Sequence, residues 1–232
     1  MKILALDSSA IVATVALCED DRLLAEYTVN NGNTHSETLL PMIESLLGHF
    51  KLSAKDVDAF AASTGPGSFT GVRIGAATVK GLAFGMNKPC VEVSTLEALA
   101  YNLVGFRGII CPVMNARRSQ VYTALFRSDG KTLTRIMPDS AIAISELDDI
   151  LCGYGEEQIM LCGDGYGITK KELVKTQTVD TPEMLIHQSA YSVAAVAYGQ
   201  LSGGNSTNDT DLKVNYLRPS QAEREFMNKN KN

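Results

Sequence analysis

The sequence has no tryptophan, three histidines, five cysteines and no long apolar run. Each shortage removes a class of function. Cys18, Cys90, Cys111, Cys152 and Cys162 are odd in number, widely spaced and without a C-x-x-C pair, so reduced, mostly buried thiols are expected instead of a disulfide framework. His35, His49 and His187 show no short spacing that would place two imidazoles on one metal. The first apolar run, from Ile3, reaches Asp7 too soon for a signal peptide, and no segment has the length of a membrane span. No membrane association and a cytoplasmic location are therefore expected. An excess of positive charge is also missing. A net charge of -5 and a pI near 5.3 argue against an autonomous nucleic-acid binder. The basic pairs Arg117–Arg118 and Lys170–Lys171 then read as solvated surface.

What the chain does have is glycine in a telling place. GPGSFTGVRIG, Gly65 to Gly75, follows a predicted strand over 57–63 and enters a predicted helix over 70–86. Strand, glycine-rich turn and helix form the usual geometry for backbone N–H groups converging on an anion. Both common phosphate motifs nevertheless fail. The kinase-type loop needs a second glycine where Thr70 or Val72 stands, and the dinucleotide fingerprint finds its third glycine one residue late, at Gly71. Ser68 is no nucleophile elbow either, because Pro66 occupies a required glycine position. Helix capping is the better reading of Ser68 and Thr70. At about 100° per residue, Gly71, Gly75, Gly81 and Gly85 fall on one arc of that helix together with Ile74, Thr78 and Leu82. Interior glycine costs about 1 kcal/mol relative to alanine. Close approach of another backbone would compensate, either from this chain's own sheet or from a second chain.

Around this segment strands and helices alternate. Strands are predicted over 3–6, 12–17 and 23–29 as an antiparallel meander. A helix follows Thr34, which has capping-box spacing to Glu37, and Leu39, Ile43, Leu46, Leu47 and Phe50 mark its apolar face. After the glycine helix come a strand near 91–93 and a helix over 95–103. The order then repeats more loosely: strands over 109–114, 121–126 and 133–137, a helix over 145–151, a strand over 159–162 and an alanine-rich helix over 189–201. Residues 228–232 read as a frayed tail. The chain is expected to be α/β, with two related lobes at 1–104 and 105–232 and the 189–201 helix a candidate to pack on the first.

ILALDSS from Ile3, the GPGSFTGVRIG turn and helix, Ala116-Arg117 before Val121-Tyr122, and Tyr216-Leu217-Arg218 closely resemble the TsaB (YeaZ) family over essentially the whole chain. The resemblance implies the actin-like ATPase fold (ASKHA, ribonuclease H-like), with two duplicated lobes of mixed sheet flanked by helices. It implies an accessory, non-catalytic role beside the larger paralogue TsaD and the small ATPase TsaE, which together transfer threonylcarbamoyl to N6 of the adenosine next to the anticodon of tRNA. ATP and metal would then belong to the partners, with no cofactor in this chain. RNA would be reached only through the complex, and the chain alone would form a homodimer. A glycoprotease label attached to this wider family predicts a peptidase, which the residues do not favour.

Two positions depart from the family pattern: Asn115 stands where Asp is common, and Gln120 where Glu often precedes Val-Tyr. Both remove a carboxylate and weaken any acid–base role for that patch. The catalytic paralogue carries an H-x-x-x-H pair after its fifth strand; here Thr95 and Leu99 occupy those slots. The resemblance places the helix after Thr34 and the glycine helix on a dimerisation face. Candidate interface residues are Thr34, Leu39, Ile43, Leu46, Phe69, Gly71, Ile74, Gly75, Thr78 and Leu82. In such folds an Asp ending the first strand faces phosphate and cation, which makes Asp7, Ser8, Ser9, Gly65, Gly67, Gly163 and Gly165 candidate nucleotide contacts. They keep open the alternative of a small ATPase or a sugar or carboxylate kinase.

Overall fold

The computed structural model describes residues 1–30, 32 and 34–218; the tail expected at 228–232 lies outside them. The first sheet is built on β1 (Lys2–Asp7), β2 (Ala13–Glu19) and β3 (Arg22–Val29), the antiparallel meander read from the sequence. Helix α1 (His35–His49) leads to β4 (Ala59–Ser63), which lies parallel to β1 with Leu6 opposite Ala62. Helix α2 (Phe69–Met86) and strand β5 (Cys90–Val93) complete a five-stranded sheet in the order β3-β2-β1-β4-β5. Helix α3 (Thr95–Tyr101) crosses to the second lobe. There β6 (Arg107–Asn115), β7 (Gln120–Asp129), β8 (Leu133–Ala143), α4 (Ile144–Cys152), β9 (Ile159–Cys162) and α5 (Tyr166–Glu172) form a four-stranded sheet, β8-β7-β6-β9, with its helices. The chain returns through α6 (Ala190–Ser202).

Strand β1 is apolar on both faces because both are covered. Leu4 and Leu6 enter the core beneath α1 and α2, while Ile3 and Ala5 enter the core beneath α6. The alanines of α6 (Ala190, Ala194, Ala197) let that helix lie close to the sheet. Helix α3 and the turn after it do the converse: Leu96 and Leu99 of the helix and Leu103 of the turn pack against Ile110, Met114 and Phe126 of the second sheet. The two crossing helices meet at Asn102, whose amide donates to the carbonyls of Leu185 (3.3 Å) and His187 (2.7 Å) and accepts from Ser192 Oγ at 2.6 Å. Each lobe is thus closed by a helix from the other half of the sequence.

The structure corrects several local expectations. Thr34 Oγ1 donates to the Glu37 carboxylate at 2.7 Å and makes no side-chain bond to the helix backbone, so the capping box is incomplete. Strand β8 runs six residues past the predicted end at Met137, to Ala143. Helix α5 was not expected, because Gly165 and Gly167 at its start obscure an apolar period. Where the second repeat would have a further parallel strand there is a single bridge, Val179 to Met160.

Asp148 of α4 holds the loop after α5. Burial pushes its carboxyl up, but donors from Val174, Lys175 and Thr176 outweigh that and leave it below its ordinary value. A lowered carboxylate contributes stability that is present above the unfolded aspartate value, about 3.9, and lost as pH falls through the folded value. Acid unfolding followed by circular dichroism should therefore show a flatter acid limb for Asp148→Asn than for the parent chain, with no difference in slope near neutrality.

Candidate functional site

A cleft of about 700 Å³ lies between the lobes. Its walls are the β1–β2 turn at Ser9–Ile11, the glycine turn at Pro66–Thr70, the β6–β7 turn at Asn115–Arg117, Asp164, and a terminal strap at Asn215–Arg218. That strap ties the two lobes together. Leu212 is buried in the first core, Asn215 N donates to Thr64 O at 2.8 Å, and Arg218 donates to Ala116 O at 3.3 Å and to the Gln120 side chain.

The phosphate-like corner of the cleft is occupied by the chain itself. Ser68 N donates to Ser9 O at 2.7 Å, and Ser8 Oγ donates to Gly71 O at 2.9 Å. A Cβ at Gly67 would stand 2.5 Å from Ser9 O, and one at Gly71 2.0 Å from Ser8 O. These glycines admit the β1–β2 turn. Gly65, at φ +117°, admits the strap in the same way, since its Cβ would meet Asn215 O at 2.4 Å. Gly163 and Gly165 lie against Val113 O.

Asp7 is equally committed. Its Oδ1 accepts from Ser9 N at 2.8 Å and from Ser9 Oγ at 2.6 Å, and its Oδ2 accepts from Ser63 Oγ at 2.5 Å. Burial raises its pKa while the bonds from Ser63 and Ser9 pull it back. Asp164, on the cleft floor, is also raised by burial, against a bond from Asn115 N at 3.1 Å. So each candidate nucleotide residue has a partner within the chain.

The histidines do not converge. His35 Nε2 lies 2.7 Å from Ala10 O, His49 is exposed at the end of α1, and His187 stands 3.9 Å from Glu183. Among the described residues no group of three or more His, Cys, Asp or Glu side chains is placed to hold a metal ion. Thr95 and Leu99, in the slots of the paralogue's histidines, are 0% and 1% exposed in the core. Burial holds the Cys18 and Cys111 thiols up at about 12, which keeps them unreactive.

The interface candidates separate into two groups. Leu39, Ile43 and Leu46 face the chain's own sheet, and Gly71 and Gly75 face Ser8, so none of these five is free to touch a partner. The glycine arc is real as an angle but is divided in use. Its first half meets this chain's own residues, Ser8 O at Gly71 and the Ser8 and Leu6 side chains at Gly75, whereas a Cβ at Gly81 or Gly85 would meet nothing within 4 Å. A leucine at Gly75 would collide with Ser8 Oγ and Leu6, so it would disturb the fold and not a partner alone. Thr34 is exposed, and Ile74, Thr78 and Leu82 are half-buried along the side of α2. Phe69 packs at the cleft mouth, its ring 3.7 Å beneath the Arg73 guanidinium and 4.9 Å from Tyr216. The sequence reading missed two outward apolar residues of these helices, Leu40 and Phe84, 49% and 76% exposed. Their signal was available: each lies off the apolar stripe of its helix.

Comparison with known proteins agrees with this architecture. The TsaD family model, tRNA N6-adenosine threonylcarbamoyltransferase, matches residues 23–201. The Bacillus subtilis protein named tRNA threonylcarbamoyladenosine biosynthesis protein TsaB is 37% identical over 151 residues, 65% of this chain and 66% of that one. Its Escherichia coli namesake is 36% identical over 131 residues, 56% of each chain. The chain thus spans about two thirds or less of the length of these curated relatives. The structure of YeaZ from Pseudomonas aeruginosa superimposes with a TM-score of 0.81 at 26% identity, covering 93% of this chain and 99% of that one. The chain shares the two-sheet α/β fold of that structure.

Proposed function

The chain belongs to the TsaD family, in its TsaB branch, and from that premise we propose that it is a non-catalytic subunit in the synthesis of threonylcarbamoyladenosine in tRNA. Its partner in this reading is a TsaD-type transferase, with the ATPase TsaE as a third component. ATP and metal act in those partners. The observation that carries the reading is the filled corner of the cleft. Gly67 and Gly71 cradle Ser8 and Ser9 where a phosphate would otherwise approach, and Asp7 is bonded to Ser9 and Ser63. The kinase alternative needs both features turned toward a ligand.

The docking face we infer is the outward side of α1 and α2, with Leu40 and Phe84 as apolar anchors and the open Gly81 and Gly85 allowing another helix to come close. A homodimer of the isolated chain would use the same face.

Threonylcarbamoyl transfer to tRNA in a reconstituted mixture tests the reading. Turnover should fall to background when this chain is omitted and be absent with this chain alone. Undiminished turnover without it, or stoichiometric ATP binding by the purified chain, would defeat the proposal.

A further inference from the structure

Four of the five described arginines that have no carboxylate partner among the described residues gather at the cleft mouth. Of all the described arginines, Arg22, Arg127 and Arg135 are paired with carboxylates. Arg73, Arg107, Arg117, Arg118 and Arg218 have no such partner among the described residues; Arg107 opens β6 at the far end from the cleft, and the other four stand on or beside the cleft lining. The acidic net charge of the chain had made the Arg117–Arg118 pair look like ordinary surface. In the fold it forms one rim of a cleft whose other rim carries Phe69, Arg73 and Tyr216.

The loop that presents this pair is held in a costly conformation. Arg117, Arg118 and Ser119 take φ values of +64°, +57° and +50°, three successive left-handed residues without a glycine. Asn115 Oδ1 accepts from Arg117 N at 2.8 Å, Ala116 N donates to Gln120 O at 2.9 Å, and Arg218 clasps Ala116 O and Gln120 from the strap. The backbone is therefore fixed while the Arg117 and Arg118 side chains remain exposed. Beside them Tyr122 is half-buried in the cleft wall and Tyr216 is 42% exposed.

We propose that this rim binds the phosphodiester backbone of single-stranded RNA, with Arg117 and Arg118 on phosphates and the Tyr216 ring as a stacking surface for a base. A strand fits the charge distribution better than a mononucleotide. The inner cleft is closed by Ser8 and Ser9 and floored by Asp164, so its cations lie along the open rim and do not converge on one deep point. Arginine with aromatic surface is the usual pairing for unstacked bases and their phosphates. The choice of RNA over another polyanion rests on the role in tRNA modification proposed for this chain.

The test uses the full chain alone, labelled polyuridine RNA and fluorescence anisotropy over a salt series. The double variant Arg117→Gln/Arg118→Gln should weaken binding at least about tenfold at low salt and flatten the slope of log K against log salt by about 1.4, near 0.7 for each phosphate no longer neutralised. Arg22→Gln/Arg107→Gln, an equal charge change away from the cleft, should alter neither. Equal loss in both variants, no binding by the parent chain at low salt, or displacement of RNA by ADP at concentrations where the same amount of uridine strand has no effect would overturn the proposal. No transferase is present, so a negative result here leaves the accessory role to be judged by turnover.

Discussion

Gly71→Ala is expected to destabilise the chain by about 3 kcal/mol or more, whereas Gly81→Ala in the same helix should stabilise it by about 0.8–1 kcal/mol. The chemical change is identical, and the difference lies in what each Cβ meets. At Gly71 it would stand 2.0 Å from Ser8 O, a backbone atom fixed by β1 and by the Ser8 Oγ bond to Gly71 O. Neither side can give way without separating α2 from the turn it encloses. At Gly75 the nearest atoms are side chains, Ser8 Oγ at 2.7 Å and Leu6 Cδ1 at 3.1 Å, so partial relief leaves a smaller loss, about 1–2 kcal/mol. At Gly81 nothing lies within 4 Å, and alanine only removes unfolded-state freedom from a helical position. For a domain of this size 1 kcal/mol corresponds to about 2–4 °C, so thermal melting should place Gly71→Ala roughly 6–12 °C below the parent chain and Gly81→Ala a few degrees above it. A Gly71→Ala protein melting with its parent would show that α2 and the β1–β2 turn are not in contact.

That series also marks where the sequence stopped being legible. The helical angle of the four glycines follows from spacing alone, but their neighbours do not. Two of them enclose Ser8, sixty or more residues earlier in the chain, and two face outward. The same holds for apolar stripes. The period of Leu39, Ile43 and Leu46 locates an α1 face that must be covered, without stating whether a sheet or a second chain covers it; β2 and its neighbours do. Strands β1, β2, β4 and β5 were readable because each is a short, mostly apolar run bounded by turn residues, and α5 was not, because glycines stand at and just after its start. Helix α3 sits next in sequence to the first sheet and packs on the second, a choice made by tertiary contacts among Leu96, Leu99 and Phe126. The cleft rim was the least legible part. Arg117 and Arg118 were visible as a pair, but only the fold brings Arg218 to their loop, 102 residues on from Ala116, and sets Arg73 beside the same cleft.

Phe84→Asp should weaken the partner binding proposed for this chain while leaving the monomer intact, and this separates a docking face from a core. Phe84 is 76% exposed and carries no packing duty within the chain, so a charge there has little to disrupt. The Phe84→Asp chain should melt within about 2 °C of the parent, as surface changes away from special features usually stay within ±0.5 kcal/mol. In a partner interface the same side chain would be a buried aromatic anchor. Its loss typically costs 2 kcal/mol or more, and burying an unpaired carboxylate adds to that, so the dissociation constant for a TsaD-type partner should rise at least about thirty-fold. Leu40→Asp should act in the same direction with a smaller loss, because a leucine is a weaker anchor than an aromatic ring. Gly81→Leu completes the set. It has room within the monomer and none against a closely packed helix, so it should weaken association without lowering the melting temperature. Calorimetric titration of each variant into the partner, beside its own melting curve, reads both quantities. Unchanged affinity in Phe84→Asp and Gly81→Leu would move the partner off α1 and α2, and with it the reason proposed for two open glycines on the outer side of α2.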